Sequence, residues 1–242
     1  MLVETDAIVI GSIKYGDSSL IANCYCKELG LRSFLLKGIL LPKKKGLKKS
    51  FFQPLSLISI TTELKNQNNQ KLHFIKQGNV RYHLNEIPLD IKKNAIALFL
   101  SEFLSIVISE EGAPNNELYK FVENGIIFLE KNPFSPFFHL KFLIELTRFL
   151  GFYPSLSNKA GEYFDMENGC FCEGSNSIYM VGGEIIPVFK KLLVINLDSI
   201  FKLNFSNSLR IKVLEFLINY FSIHLPRFRK IKSIPVLHEI FR

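Results

Sequence analysis

The spacing of apolar residues changes near Pro88, and this change limits the fold more than any other feature of the sequence. Before it, short apolar or β-branched runs alternate with turn signals such as Tyr15-Gly16-Asp17-Ser18, a pattern typical of β-strands. After it, apolar residues recur with helical spacing. The sequence therefore predicts an α+β protein, with a strand-rich domain at residues 1–80 and a helical domain at residues 81–242.

The first domain is predicted to hold five short strands. Five strands of this kind can form an oligonucleotide-binding (OB) barrel, which is the fold that we expect. An SH3-like barrel or an open sheet fits the strand count equally well. The predicted strands are Ala7–Ile13, Leu20–Tyr25, Arg32–Lys37, Leu55–Thr61 and Leu72–Gln77.

The second domain is predicted to be a bundle of helices. Asp90 can cap a helix that runs to about Ser109, and Pro136 suits the first turn of a later helix. Residues 162–183 interrupt the helical spacing and predict an inserted hairpin or knuckle that carries Cys170 and Cys172. The remaining helices are predicted at residues 116–130, 187–201 and 208–223.

No acidic residue lies between Glu28 and Glu63, although this stretch is rich in lysine. A basic loop on a β module indicates nucleic-acid binding, and the alternative is a solvated loop that only aids solubility. A second basic cluster near the C-terminus either extends a DNA path, receives an acidic protein tail or is a solvated segment. The candidate phosphate contacts are Arg32, Lys37, Lys43, Lys44, Lys45, Lys48 and Lys49, followed by Arg227, Arg229, Lys230 and Lys232.

Aromatic side chains near the first basic stretch are candidates for stacking on bases. The alternative is packing in the core, which we favour for Phe34 and Phe52 and weigh evenly for Tyr15. The full set is Tyr15, Tyr25, Phe34, Phe51 and Phe52.

Composition excludes several classes of protein. An apolar fraction of 48% argues against a disordered chain, and the net charge of +8 favours an anionic partner. The longest uncharged run, Ser50–Thr62, is too short to cross a bilayer. The acidic N-terminus does not look like a secretory signal, so we expect a cytoplasmic protein with free thiols at its two Cys-x-Cys pairs.

Motifs of catalysis are missing from the sequence. The five histidines have no HExxH spacing, and the glycines do not form a phosphate-binding loop. We therefore predict that the protein is not an enzyme, and we name no catalytic residue, no metal ligand and no cofactor.

Several segments, in this order along the chain, resemble the RecO family of bacterial recombination mediators. They are Thr5–Ile10, Tyr15–Leu20, Leu29-Gly30, Leu36-Lys37-Gly38, Phe52–Leu55, Ala97–Glu102, Leu150–Pro154 and the closing stretch Leu225–Leu237. The resemblance implies an N-terminal OB fold, a helical remainder and no bond chemistry. It further implies binding of single- and double-stranded DNA, annealing of complementary strands and a nucleoid-associated location in the cytoplasm.

The resemblance also implies protein partners. These are the C-terminal tail of the single-strand-binding protein, RecR and, indirectly, RecA. Because that tail is acidic with an apolar end, its site should be an apolar groove with a basic rim. Lys141 and Arg148 are candidates on one helical face, and the alternative, which we favour, is an ordinary surface helix.

The sequence departs from the family at the knuckle. Many members hold a zinc ion there with four cysteines, but only Cys170 and Cys172 are present in this segment. A structural zinc site takes four ligands, so we predict no metal. Two rival functions stay open: an RNA- or tRNA-binding module, and a scaffold whose lysines meet acidic protein partners.

Overall fold

A computed structural model describes residues 1–41, 47–63, 72–174 and 177–241 of the chain. By spatial contact the chain divides into two compact units. The first unit comprises residues 1–132 and 231–237, and the second comprises residues 133–230 and those from 238 onward. The sequence-based domain boundary at residue 80 stays a prediction.

The first unit is built on a five-stranded antiparallel sheet, which confirms the predicted strand-rich start of an α+β protein. Its strand order is β3-β2-β1-β4-β5. Each strand is displaced from or longer than its predicted run. The bounds are β1 Leu2–Tyr15, β2 Ser19–Cys26, β3 Gly30–Leu36, β4 Leu57–Glu63 and β5 Ile75–Tyr82.

The sheet is not closed into the barrel that the sequence predicted. Among the described residues, the edge strand β3 meets the chain before β5 at a single parallel bridge between Phe34 and His73. The His73 amide donates to the Ser33 carbonyl, and the Leu35 amide donates to the His73 carbonyl, each at 2.9 Å. One bridge joins the edges locally, but a barrel requires a continuous ladder between them.

Strand β1 is buried on both faces at its centre, from Ala7 to Ile10. Ala7 and Val9 belong to the core of the sheet. The pairing with β2 shifts register between Val9 and Gly11, which is the signature of a β-bulge. The Ser101 hydroxyl, on the helix that packs against β1, donates a hydrogen bond to the Ile10 carbonyl at this bulge.

The sheet is followed in the first unit by the helices α1 Glu86–Leu89, α2 Ile91–Glu110 and α3 Asn116–Lys131. The predicted cap of α2 is confirmed, because the Asp90 carboxylate accepts from the amides of Lys92 and Lys93 at 2.8 and 3.1 Å. Asn115 caps α3 in the same way, through the Leu118 amide at 3.0 Å. Caps of this kind satisfy amides that have no partner inside the helix.

Two carboxylates fix chain segments to these helices. Glu130 accepts three backbone amides, from Asn85, Glu86 and Ile87, at 2.7, 2.8 and 3.0 Å. Glu102 accepts the amides of Lys232 and Ser233, both at 2.8 Å. The second carboxylate anchors the start of a short helix, α7 Ile234–Ile240, which the sequence analysis missed.

The second unit contains α4 Phe138–Phe149, α5 Ile185–Val194 and α6 Asn207–His224, with a 3-10 helix at Leu197–Lys202. The single helix predicted at residues 187–201 is wrong, because the backbone is extended at Ile195 and Asn196. Polar side chains such as Asn196 and Asp198 compete with helical hydrogen bonds. No helix within the described residues is long and apolar enough to cross a membrane.

A three-stranded sheet lies where the knuckle was predicted. It comprises β6 Tyr163–Asp165, β7 Cys170–Cys172 and β8 Met180–Val181, in the order β7-β6-β8. Phe164 is buried and its ring lies 5.0 Å from both Phe171 and Phe189. The aromatic core of the second unit therefore holds this small sheet, and a cysteine knuckle is not confirmed.

We predict that Glu130→Gln lowers the free energy of unfolding by about 1.5–3 kcal/mol at neutral pH, because hydrogen bonds to a charged acceptor are lost. Burial opposes ionisation of Glu130, but the three backbone amides and Lys93 outweigh it and lower the pKa. Chemical denaturation of both proteins measures the difference. Glu117→Gln, at an exposed position of the same helix, is the control and should change stability by only a few tenths of a kcal/mol, roughly.

The stabilisation by Glu130 should depend on pH in one direction. A lowered folded pKa gives stability that is fully present above the unfolded pKa of about 4.3 and is lost as pH falls through the folded pKa. The difference between wild type and Glu130→Gln should therefore shrink in acid. A difference that persists unchanged at low pH would show that the carboxylate charge is not its source.

Candidate nucleic-acid interface

The described cations of the first basic stretch lie on the surface of the first unit. Arg32 lies on β3 and Lys37 follows that strand, while Lys48 and Lys49 lie at the 3-10 helix Lys49–Phe52. All four residues are exposed. The remaining three predicted contacts, Lys43, Lys44 and Lys45, lie outside the described residues.

The bridge between β3 and the chain before β5 brings cations and rings together. The Lys37 ammonium lies 5.2 Å from the centre of the Phe74 ring, and Phe74 is 43% exposed. One residue earlier, the His73 ring lies 6.0 Å from that of Phe34. Burial and then the positive charge of Arg32 lower the pKa of His73, so this imidazole is neutral at physiological pH.

This arrangement suits a single nucleic-acid strand. An exposed aromatic face can stack on a base, and an adjacent ammonium can neutralise a phosphate. The residues of this arrangement are Arg32, Lys37, His73 and Phe74. Phe74 and His73 were not predicted as site residues, because both fall within the predicted strand Leu72–Gln77; the strand begins at Ile75.

The candidate stacking residues divide between core and surface. Tyr25, Phe34 and Phe52 are buried, so the packing alternative describes them. Burial and the nearby Glu111 carboxylate raise the pKa of Tyr25 to about 12, and its hydroxyl donates to the Asn115 carbonyl at 3.0 Å. Phe51 is half-buried and Tyr15 is 53% exposed, which leaves these two rings accessible.

The C-terminal basic cluster is also exposed. Arg227, Arg229, Lys230 and Lys232 alternate with Phe228, which is half-buried, and Ile231, which is buried. Within the described ranges, no salt bridge involves any of these four cations. Their charges are therefore presented to solvent, as an anionic partner requires.

The structure separates the two residues proposed for a partner tail. Lys141 is 4% exposed, and its ammonium donates to the Glu145 carboxylate at 2.6 Å and to the Leu192 carbonyl at 3.0 Å. Arg148 has a half-exposed side chain that pairs with the same carboxylate at 2.6 Å and stacks 3.4 Å from the centre of the Tyr153 ring. Only Arg148 is thus available at the surface in this conformation, and the tail site stays a prediction.

The cysteines do not fit the zinc site that the family implies. Cys170 and Cys172 lie on one strand, and the Cys172 sulfur is 4.0 Å from the Met180 sulfur. Cys24 and Cys26 are buried on β2 in the other unit. A structural zinc ion takes four ligands, and across the described residues no group of three or more His, Cys, Asp or Glu side chains could hold a metal.

An antiparallel sheet with exposed cations beside an exposed ring is typical of the class of nucleic-acid-binding proteins. Comparison with known families gives a narrower result. Residues 1–83 match the model for the recombination protein O N-terminal domain, and residues 88–233 match the model for the recombination protein O C-terminal domain. The chain belongs to the RecO family.

Curated relatives support the same assignment over the whole length. The chain is 34% identical to the DNA repair protein RecO of Flavobacterium psychrophilum, with all of both chains covered. It is 36% identical to the proteins of that name from Flavobacterium johnsoniae and Bacteroides fragilis, again over all of each chain. Membership of this family supports a role in DNA repair and recombination.

We predict that Phe74→Ala weakens binding of a single-stranded oligonucleotide by about 5- to 150-fold, the loss expected for one base–aromatic stack. Fluorescence anisotropy with single-stranded and duplex probes measures it. Duplex affinity should change much less, since paired bases offer no face for stacking. Phe201→Ala is the matched control, because Phe201 is exposed to a similar extent (41%) in the second unit.

Lys37→Ala should change the salt dependence of single-strand binding. Loss of one phosphate contact is expected to make the log–log salt slope of single-strand binding less steep by about 0.7. Titrations at four salt concentrations give that slope. An unchanged slope in a folded variant would remove Lys37 from the interface.

Proposed function

We propose that this protein is a DNA-binding recombination mediator that anneals complementary single strands. The observation that carries the proposal is the match to both RecO domains along the chain. The lysine-rich stretch between Glu28 and Glu63, which contains no acidic residue, supports it. The role is binding and positioning, with no bond made or broken. Neither a catalytic residue nor a cofactor is assigned.

The proposed contacts act through electrostatics. Lysines that neutralise phosphates release counterions, so affinity falls as salt rises. If about five cations engage a single strand, the log–log slope is roughly −3.5, which is about a hundredfold between 50 and 200 mM salt. Binding of this kind tolerates any sequence, because phosphates carry no base information.

Annealing follows from the same physics. Two complementary strands repel each other through their phosphates, and a protein that covers both with positive charge lowers that repulsion without reading the bases. The exposed C-terminal cluster, with Arg227, Arg229 and Lys230, supplies further charge for such a surface. Duplex DNA is a product of this reaction and a ligand for the same cations.

Protein partners belong to the same proposal. By resemblance to the family, we propose that the protein binds the acidic tail of the single-strand-binding protein and acts with RecR to help RecA load onto coated strands. Arg148 is the described residue that supports a basic rim for this tail, because its side chain is 51% exposed. Substitution of Arg148 tests the tail contact separately from DNA binding.

The test is an annealing assay with complementary oligonucleotides coated by the cognate single-strand-binding protein. Wild type should accelerate annealing, and a variant with Lys43, Lys44, Lys45, Lys48 and Lys49 changed to alanine should not, because it lacks five candidate phosphate contacts. The matched control removes five exposed lysines elsewhere: Lys92, Lys120, Lys159, Lys191 and Lys202. It should retain most of the acceleration despite the same change in net charge.

Other outcomes separate the rival functions. Equal acceleration by wild type and the loop variant would move the site to the C-terminal cluster. Binding of RNA in preference to DNA, with dependence on the 2′-hydroxyl, would favour an RNA module. No oligonucleotide binding by folded protein at near-physiological salt would favour a scaffold that meets acidic proteins.

A further inference from the structure

A groove with a volume of about 640 Å³ opens on the first unit. It is lined by the end of β5, by α1 and α2, and by the chain around the 3-10 helix Lys49–Phe52. Ile87 and Ala97 form buried parts of its wall. The volume lies within the range of roughly 300–1,000 Å³ that is usual for small-ligand sites.

The lining combines flat rings with amides. The lining residues include three with aromatic rings, Phe51, Tyr82 and His83, and two with side-chain amides, Gln53 and Asn94. The Tyr82 ring also has the Lys131 ammonium 5.8 Å from its centre. Rings can stack on any base, while amides can both donate to and accept from base edges.

The charge of the groove has one sign. Lys48 lines it, and among the described residues no carboxylate does. Lys48 and Lys49 also belong to the basic stretch that carries the proposed phosphate contacts. A polyanion bound by Lys48 would therefore lie at this groove.

We propose that this groove is a base-binding subsite, which takes unstacked bases of a single DNA strand whose phosphates are held by Lys48 and Lys49. The inference rests on the proposed function, because the lysines must first bring a strand to this surface. Three rings and a single lining lysine fit flat, uncharged bases better than an acidic peptide, whose carboxylates would each need a cation. A duplex keeps its bases stacked, so the groove selects single strands.

The first measurement locates the bases. The full-length protein is photo-crosslinked to an oligothymidine that carries 5-iodouracil, and the adducts are mapped by mass spectrometry. Crosslinks are expected at Phe51, Tyr82 or His83 with the single strand. The same probe in a duplex should give none of these adducts.

The second measurement uses a charge placed inside the groove. Leu98 lines it and is 44% exposed, whereas Ile91 lies on the same helix, is 69% exposed and is not part of the lining. Leu98→Glu should weaken single-strand binding by about tenfold, since the carboxylate obstructs stacking of the base on the rings and adds a negative charge near the phosphates. Ile91→Glu should bind like wild type, and duplex affinity should change by less than about twofold in both variants.

The outcomes distinguish failure of the subsite from failure of the function. If wild type binds single strands but the crosslinks lie elsewhere and Leu98→Glu binds like Ile91→Glu, the subsite is overturned and DNA binding stands. Equal loss of single-strand and duplex affinity in Leu98→Glu also overturns it, because charge alone would explain the effect. Capture of an acidic peptide in the groove, without base crosslinks, overturns it in favour of a protein ligand. Absence of any DNA binding by wild type overturns both proposals.

Discussion

Burial of β1 on both faces is the constraint on which the first unit depends. A strand at the centre of a sheet already uses its amides and carbonyls for two ladders, so a helix can pack on it only through side chains or at a defect in the pairing. The register shift between Val9 and Gly11 is such a defect. Ser101 of α2 bonds to the Ile10 carbonyl there, which joins the helix to the sheet by a specific contact as well as by apolar packing.

Polar contacts around the interface of α2 and β1 hold the other elements of the unit in place. Arg81 on β5 pairs with Asp6 on β1 at 2.8 Å and also with Glu123 on α3. The Tyr25 hydroxyl reaches the chain that caps α3, and Glu130 at the end of α3 holds the start of α1. Because α1, α2 and β5 are each tied to a common frame, the groove that they line is a feature of the packed unit.

Sequence signals predicted well those helices and strands that are determined by residues close together in the chain. Asp90 capped the helix that it was expected to cap, and the five strands lie close to their predicted runs. The short α1 and α7 escaped prediction because their starts are held by the distant carboxylates of Glu130 and Glu102. A contact between residues far apart in the chain leaves no periodic pattern to read.

The same distinction between local patterns and distant contacts explains which residues of the candidate site could be predicted. The basic stretch was visible from composition, and its described members are exposed. Phe74 joined the site only through the bridge between Phe34 and His73, which a strand pattern does not reveal. For Lys141 the sequence was misleading. Its spacing to Arg148 suggested that both side chains lie on one surface, yet the Lys141 ammonium donates to a carboxylate and a carbonyl inside the second unit.

Net charge therefore predicts an anionic partner only after the cations have been sorted by what they already contact. Lys93 and Lys141 are buried and donate to backbone carbonyls, at 3.1 Å in the case of Lys93 and Glu130, and Arg81 is shared between two carboxylates. Moving these cations onto a phosphate would break bonds that hold the fold, at a cost that phosphate binding in water does not repay. Exposed lysines such as Lys48 and Lys49 carry no such cost, because they exchange only water and counterions for the phosphate. The cations that an anionic partner can reach are thus the exposed ones, and in the first unit exposed Lys37 lies beside the exposed ring of Phe74.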